Sequence, residues 1–537
     1  MGAVIKSFEP YSGPYAVSTT DLELPVPPPR RRQFPHPTLK HSQGEPALKL
    51  ETVLFTLFYP ADETRPGSGH AQPWVQRPVD VTAAGYSRFL GQREDLCRWM
   101  FKLAGESLHL PAEADRPLAP PPTTASASST AAPSSSSADR IRAETSERGA
   151  FPLIIFSHGM SGQRTTYSRW CGDIASHGFI VVALEHRDGS GPISIVRLDD
   201  EGRERTVDFL RFEQVECVPP PVFLQDPLDF RALQQQLRVS EVAAALDVLN
   251  RINDGEGAAV ARENRRTDLG GKDVVGRYLP EWKGRIDFAN VTMAGHSFGG
   301  GTTLEALRVG APLFPFTAGI ALDPSADPTP PRESHTVFTA LRDDLSKARD
   351  GQGGDPDATS PRSGETDAAE GERKAASSSV SSSPARGDEN ANSAKQAGIA
   401  VPLLVINSES FTLWSERFEE IKTAVKSLQK GVRGWLMTLV GSEHSSFSDV
   451  FLVVPLAAKL VGARASPFLI LDRTVQACLE FLSHRYDDDD GGPILSQAVE
   501  DPRDEDGARP GEADKGWFGQ RKGMAGEPGS MRMHLKR

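Results

Sequence analysis

Gly295-His296-Ser297-Phe298-Gly299 is the stretch that most narrows what this 537-residue chain can fold into. Upstream, Val291-Thr292-Met293-Ala294 is a short apolar run rich in β-formers, and downstream Thr302 to Arg308 can begin a helix. A serine between them sits on a strand-to-helix turn. The small residues two positions to either side let the backbone bend sharply enough to push the hydroxyl out above a sheet. The pentapeptide alone is weak: with 48 glycines in the chain, G-x-S-x-G arises by chance about 0.3 times. A purely structural turn is the competing reading, and residues elsewhere must decide between them.

Such a turn needs a sheet beneath it. Val53, Phe55, Leu57 and Tyr59 fall on one parity of an early strand that ends at Pro60. Continuous apolar runs follow at Phe151 to Phe156, Phe179 to Leu184, Val291 to Ala294, Phe316 to Leu322, Val401 to Ile406 and Trp435 to Val440. Unalternating runs suit central strands of a parallel sheet covered on both faces. Helical patterns separate several of them: Thr165 to His177, Pro467 to Arg485, and Phe230 to Asn250, where Val239, Val242, Leu246 and Leu249 keep 3-4 spacing. The order predicts a doubly wound α/β domain, a mostly parallel central sheet with helices on both faces, whose functional residues stand at the carboxyl ends of strands.

Composition separates that domain from the rest of the chain. Pro120 to Ser137 holds no large apolar residue, and Asp343 to Ala397 is dense in Asp, Glu, Lys, Gly and Ser, so neither can bury enough surface to offset its ordering entropy. The expectation is a single catalytic domain over 1–485, interrupted by disordered insertions at about 113–148 and 340–398. A disordered tail, acidic at its start and basic at its end, follows over 486–537. A net charge of −12 and a pI near 5.6 argue against a nucleic-acid partner. Cys97, Cys171, Cys217 and Cys478 show no C-x-x-C spacing, so neither a disulfide framework nor a structural zinc is expected, and no cofactor or metal is called for. Cys171 and Cys478 read as small apolar residues of core helices. No apolar stretch reaches about 18 residues, and Met1 to Ser7 lacks a signal-peptide core, which points to the cytoplasm. Gly2 invites N-myristoylation, but Lys6 stands where that motif wants Ser or Thr.

Three strand ends carry candidate partners for Ser297. After the first apolar run comes Ser157-His158-Gly159-Met160, where such folds place a loop that lends a backbone N–H to a developing oxyanion. Met160 and Phe298 are assigned as the two backbone donors, and His158 as a buried histidine bracing the loop. Asp323 ends the run from Phe316 and would emerge beside the serine, where a carboxylate can hold a histidine in the right tautomer. Asp327 is its rival, past Pro324. His444, in Gly441-Ser442-Glu443-His444, follows the last run and completes the order Ser, Asp, His. It would take the serine proton and return it to a leaving alcohol.

With these residues in view, Phe156-Ser157-His158-Gly159, Ala175-Ser176-His177-Gly178-Phe179, Glu185-His186-Arg187-Asp188, Gly295-His296-Ser297-Phe298-Gly299-Gly300, Gly319-Ile320-Ala321-Leu322-Asp323, Ile406-Asn407-Ser408-Glu409 and Gly441-Ser442-Glu443-His444 resemble successive signature blocks of one family. It is that of the platelet-activating factor acetylhydrolases of the plasma and intracellular type II kind, within the α/β-hydrolase superfamily. The resemblance covers about 13–60, 151–325 and 400–484.

The resemblance implies calcium-independent hydrolysis of the sn-2 short or oxidised acyl ester of a glycerophospholipid. Carried over residue by residue, the family's triad falls on Ser297, Asp323 and His444, and its oxyanion donors on Met160 and Phe298; the family often has Leu where this chain has Met160. Gly189 to Asp229 diverges from the family where segments facing substrate and membrane partly lie. Met100-Phe101 with Leu103, and Phe209-Leu210 with Phe212, are candidate patches for peripheral association with a lipid surface, each competing with an ordinary core role. A general carboxylesterase of the dienelactone-hydrolase or cutinase-like type, and a non-catalytic scaffold on the same fold, are the alternatives. Oligomeric state is not legible.

Overall fold

Alternate residues of a strand face opposite sides of its sheet, so runs that are apolar at every position need a layer of helices on each side. The computed structural model describes residues 8–28, 39–41, 44–105, 107–121, 137–217, 227–267, 271, 274–310, 313–325, 398–484, 491–499, 523–524 and 526–537. Its main sheet has eleven strands. They are β1 (Val17–Pro25), β2 (Thr52–Pro60), β3 (Ala71–Pro73), β4 (His109–Ala114), β5 (Phe151–Ser157), β6 (Ile180–Glu185), β7 (Ile286–His296), β8 (Phe316–Leu322), β9 (Leu403–Ser408), β10 (Gly434–Leu439) and β11 (Met531–Lys536). In space they run β11-β10-β9-β8-β7-β5-β6-β2-β1-β4-β3. From β10 to β6 every neighbouring pair is parallel. β2 pairs antiparallel with β6 and β1, and β11 closes the opposite edge antiparallel to β10.

Seven helices bear on the argument: α1 (Glu94–Gly105), α2 (Ser137–Arg148), α3 (Ser168–Ser176), α4 (Pro227–Arg251), α5 (Phe298–Val309), α6 (Pro455–Val461) and α7 (Pro467–His484). Ile154 and Phe156 of β5, Val181 and Ala183 of β6, Ile320 and Leu322 of β8, and Met437 and Leu439 of β10 share one apolar cluster with Trp170, Cys171, Cys478 and Phe481 of α3 and α7. The intervening Leu153, Ile155, Val405 and Leu436 are as deeply buried, toward the opposite layer, where α4 and α5 pack. Each such aliphatic or aromatic side chain contributes about 1.5–3 kcal/mol on leaving water. The architecture is that of an α/β-hydrolase.

From β5 the chain steps to β6 on one side, while the next parallel strand, β7, lies on the other side of β5. That reversal opens a crevice over the carboxyl ends of β5 and β7. Ser157 and His296 end those two strands.

Two expectations of disorder need correction. The tail does not lie wholly outside the fold: β11 pairs with β10, Met533 is 1% exposed and Leu495 is fully buried. Met531, Met533 and Leu535 alternate with Arg532, His534 and Lys536, a period-2 pattern that the preceding charged residues obscured. The first insertion is narrower than 113–148. Glu113 and Ala114 belong to β4, Leu118 and Ala119 are buried, and α2 docks through Ile141 and Thr145, each 2% exposed. One apolar side chain on a charged helix suffices there because Arg140 reaches His484 of α7 at 3.2 Å and Arg148 pairs with Asp287. The second expected insertion lies outside the described residues up to Gly398. β2 is buried at all nine positions, not only at the parity of Val53, Phe55, Leu57 and Tyr59, because α3 and α4 both pack against it.

Candidate active site

Ser297 joins the last residue of β7 to the first of α5 with φ 55° and ψ −119°. A non-glycine residue holds a positive φ only where its surroundings determine it. Here the Ser297 N–H donates to the Leu322 carbonyl at 2.9 Å, and the Ser297 carbonyl accepts from the amides of Ser325 at 2.9 Å and Gly301 at 3.0 Å. The flanking glycines are required by close approach. A Cβ on Gly295 would lie 2.2 Å from the Gly299 carbonyl oxygen, and one on Gly299 would lie 2.0 Å from that of Ser157.

The turn aims Ser297 at His444. Their Oγ and Nε2 are 2.9 Å apart, and His444 Nδ1 stands 2.9 Å from Asp323 Oδ2. With Nδ1–H donating to the carboxylate, Nε2 is left to accept the serine proton. Asp323 is fully buried, and its Oδ1 accepts the Ser408 amide at 2.6 Å while Oδ2 accepts the Ser408 hydroxyl at 2.5 Å. Phe411 stacks on the His444 ring at 5.2 Å and 15°, limiting its rotation. His296, Asp323 and His444 also have donor atoms within 4.8 Å of one another, though the bonds just described already engage Asp323 and both His444 nitrogens.

The loop after β5 lies against the serine. A Cβ on Gly159 would come within 3.1 Å of Ser297 Cβ. Met160 is the next residue in that loop, and Phe298 opens α5, where the first amides have no carbonyl within the helix to bond. His158 is buried; its Nδ1–H donates to the Gly159 carbonyl at 2.8 Å and its Nε2 accepts the His186 amide at 3.1 Å. Burial, and then the nearby Arg238 guanidinium, push its pKa down to about 4. Tyr167 Oη accepts the Gly159 amide at 3.2 Å and pairs with His296 Nδ1 at 2.8 Å. Burial and the neighbouring His444 hold His296 well below its ordinary range, so it stays neutral beside His444.

The segment after His444 is anchored as well. Asp449 accepts from Trp74 Nε1, from the Ser168 amide and hydroxyl, and from the Arg169 amide, which ties the histidine loop to the start of α3. Of the other histidines, His186 joins Glu241 and Ser157 beneath the sheet's end, His177 caps α3, and His534 lies on β11. Asp327 and His335 fall outside the described residues. Asp449, Tyr167 and Arg238 went unread in the sequence, and Ser408 was noted only within the Ile406-Asn407-Ser408-Glu409 block, without a role. Ser408 and Asp449 had the signal of lying next to strand-end blocks, whereas nothing local marks Tyr167.

Residues 123–330 match the family described as "Platelet-activating factor acetylhydrolase, isoform II", a stretch that includes Ser297 and Asp323 and ends before His444. A "Putative phospholipase A2" of Schizosaccharomyces pombe is 28% identical over 306 residues, covering 55% of this chain and 58% of the relative. The "Platelet-activating factor acetylhydrolase" of Canis lupus familiaris is 34% identical over 175 residues, 32% of this chain and 35% of the relative. The chain thus spans between about a third and about three fifths of these relatives' lengths. A ferulic acid esterase from Streptomyces cinnamoneus aligns over 92% of this chain and 96% of its own at 16% identity with a TM-score of 0.49, too distant to carry an argument.

Proposed function

We propose that this chain, whose residues 123–330 match the platelet-activating factor acetylhydrolase family, hydrolyses the sn-2 short or oxidised acyl ester of glycerophospholipids, 1-alkyl-2-acetylglycerophosphocholine among them. The hydrogen-bonded line from Ser297 through His444 to Asp323, with both links at 2.9 Å, is the observation that carries the reading. His444 Nε2 takes the hydroxyl proton as Ser297 Oγ attacks the ester carbonyl. The negative charge that forms on the carbonyl oxygen is met by the Met160 and Phe298 amides, each donor being worth about 10²–10³ in rate. His444 then gives that proton to the sn-2 oxygen as its bond to the acyl carbon breaks and the lysolipid leaves as an alcohol, and water, activated by the same imidazole, releases the acyl group from Ser297. The family that this chain resembles acts without calcium, and chelation by EDTA is expected to leave the rate unchanged.

Reaction at a lipid surface is part of the proposal. Leu96, Trp99, Met100 and Leu103 recur at helical spacing along α1 and are 46%, 62%, 51% and 53% exposed. Leu456 and Leu460 of α6, close in sequence to the histidine loop, are 66% and 78% exposed. Apolar stripes of this kind suit shallow insertion among lipid headgroups. Among the described residues no helix is long and apolar enough to cross a membrane.

Fluorophosphonate labelling combined with a phosphatidylcholine series graded in sn-2 chain length tests the reading. Wild type should label and Ser297→Ala should not, with rates falling steeply beyond short and oxidised chains. Equal labelling of both proteins would refute the serine assignment, and rates highest on simple short-chain esters would favour a general carboxylesterase.

A further inference from the structure

Arg238 of α4 is fully buried, and its contacts reach the loop that carries Met160 and the ring of Phe298. Nη1 donates to the His158 carbonyl at 2.7 Å and, more weakly, toward Ser157 Oγ at 3.4 Å. Nη2 donates to Ser190 Oγ at 2.6 Å, and the Ser190 carbonyl in turn accepts the Ser161 amide at 2.7 Å. Residues on either side of Met160 are therefore held from one guanidinium, His158 directly and Ser161 through Ser190. Ser161 itself has a φ of 61°, which outside support must maintain. On its other face the guanidinium carbon stands 4.4 Å from the centre of the Phe298 ring. Asp188 completes the set: its Oδ2 accepts Arg238 Nε at 2.7 Å, and its Oδ1 accepts both the amide and the hydroxyl of Ser190. Gln235, one turn earlier on α4, donates to the Phe298 carbonyl at 3.0 Å.

A buried ion pair contributes little net stability compared with apolar residues of similar size. Arg238 and Asp188 are both fully buried, where such a replacement would serve packing equally well. What apolar side chains could not supply is a rigid fork that fixes two backbone segments at once. We propose that Arg238 is a positioning residue that sets the spacing between the Met160 and Phe298 amides, and so the shape of the pocket that receives the oxyanion. The proposal rests on the esterase reading above.

Arg238→Met, Arg238→Lys and Ser297→Ala are compared with wild type on a soluble short-chain ester, together with the inhibition constant of a trifluoromethyl ketone that mimics the tetrahedral adduct. Arg238→Met should lose about 10²-fold in kcat with KM within about threefold, and the ketone should weaken by the same factor as kcat/KM. Arg238→Lys, which keeps the charge without the fork, should fall between. Should Arg238→Met fail to fold, Ser190→Ala removes the hydroxyl that accepts from Arg238 Nη2 and donates to Asp188 Oδ1, so that the Ser190 carbonyl bonding Ser161 is no longer tied to the guanidinium; it is read by the same ratio, with about a tenfold loss expected. A folded variant with wild-type kcat, or one whose loss lies in KM while ketone affinity is unchanged, overturns the positioning role and leaves the esterase reading standing. A wild type no more active than Ser297→Ala overturns the esterase reading and this proposal with it.

Discussion

Four histidines crowd the carboxyl ends of β5, β6, β7 and β10, and their surroundings set them apart. His158, His186 and His296 are buried and held neutral, whereas His444 keeps an 18% exposed side chain backed by Asp323. For His158 this neutrality has a consequence for stability. Its folded pKa of about 4 lies below the unfolded value of about 6.5, so the unfolded chain takes up a proton that the native loop refuses. The contribution is present in full above about pH 6.5 and is lost as pH falls toward 4, about 3 kcal/mol across the whole window. Urea midpoints of wild type should therefore drop more steeply between pH 7 and 5 than those of His158→Gln, whose amide can still accept from His186 and donate to the loop. Parallel slopes would show that His158 is not the group being titrated. At this scale the sequence was legible for residues that follow a recognisable apolar run: Ser297 comes directly after β7, Asp323 directly after β8 and His444 in the loop beyond β10. Ser408 was not, because its task of holding Asp323 exists only once β8 and β9 pair in register, Leu322 opposite Ile406.

Elements were read well where one pattern dominated and poorly where two overlapped. In α4 the 3-4 spacing of Val239, Val242, Leu246 and Leu249 accounted for a helix, and it drew attention from Gln234, Gln235, Arg238 and Glu241, which are equally buried. Those polar side chains form a second face with helical spacing. Glu241 reaches His186 at 2.6 Å, and burial pushes its carboxyl up to about 8. The C-terminal strand failed for a related reason: six residues of clean alternation follow a long charged stretch that set the reading of the whole tail. Its place on the edge of the sheet makes a definite claim. Removing Met531 to Arg537 strips Met531 and Met533 from β10, the strand that leads to His444. Burial of two methionines is worth about 4 kcal/mol, and the uncovered strand edge invites association. Truncation should thus lower the urea midpoint and raise light scattering, whereas a tail without structure could be removed with no effect on either.

Across the whole molecule, the residues that hold the site together bracket the longest stretch outside the described residues. The Asp323 amide donates to the Ile406 carbonyl at 3.0 Å, and the Ser325 amide bonds Ser297. On the far side Ile399 is 4% exposed, its carbonyl accepts the Gln429 amide, and the Gly398 carbonyl accepts the Gln429 side chain. β8 and β9 are then paired directly, from Gly319 opposite Leu403 onward. These bonds join described residues on either side of 332–397, whose composition, rich in Ser, Gly, Asp and Glu, supplies little apolar surface to bury. Loop closure is also insensitive to length, about 0.6 kcal/mol for each doubling. Replacing 332–397 by a short Gly/Ser linker should therefore leave the urea midpoint unchanged or slightly raised, and kcat on a soluble short-chain ester within about twofold. A fall in both would mean that the segment packs against the site and that the strand pairing alone does not position Asp323. Wild-type rates on the soluble ester with reduced rates on phospholipid vesicles would instead assign the segment to engagement of the lipid surface, separately from Ser297, Asp323 and His444.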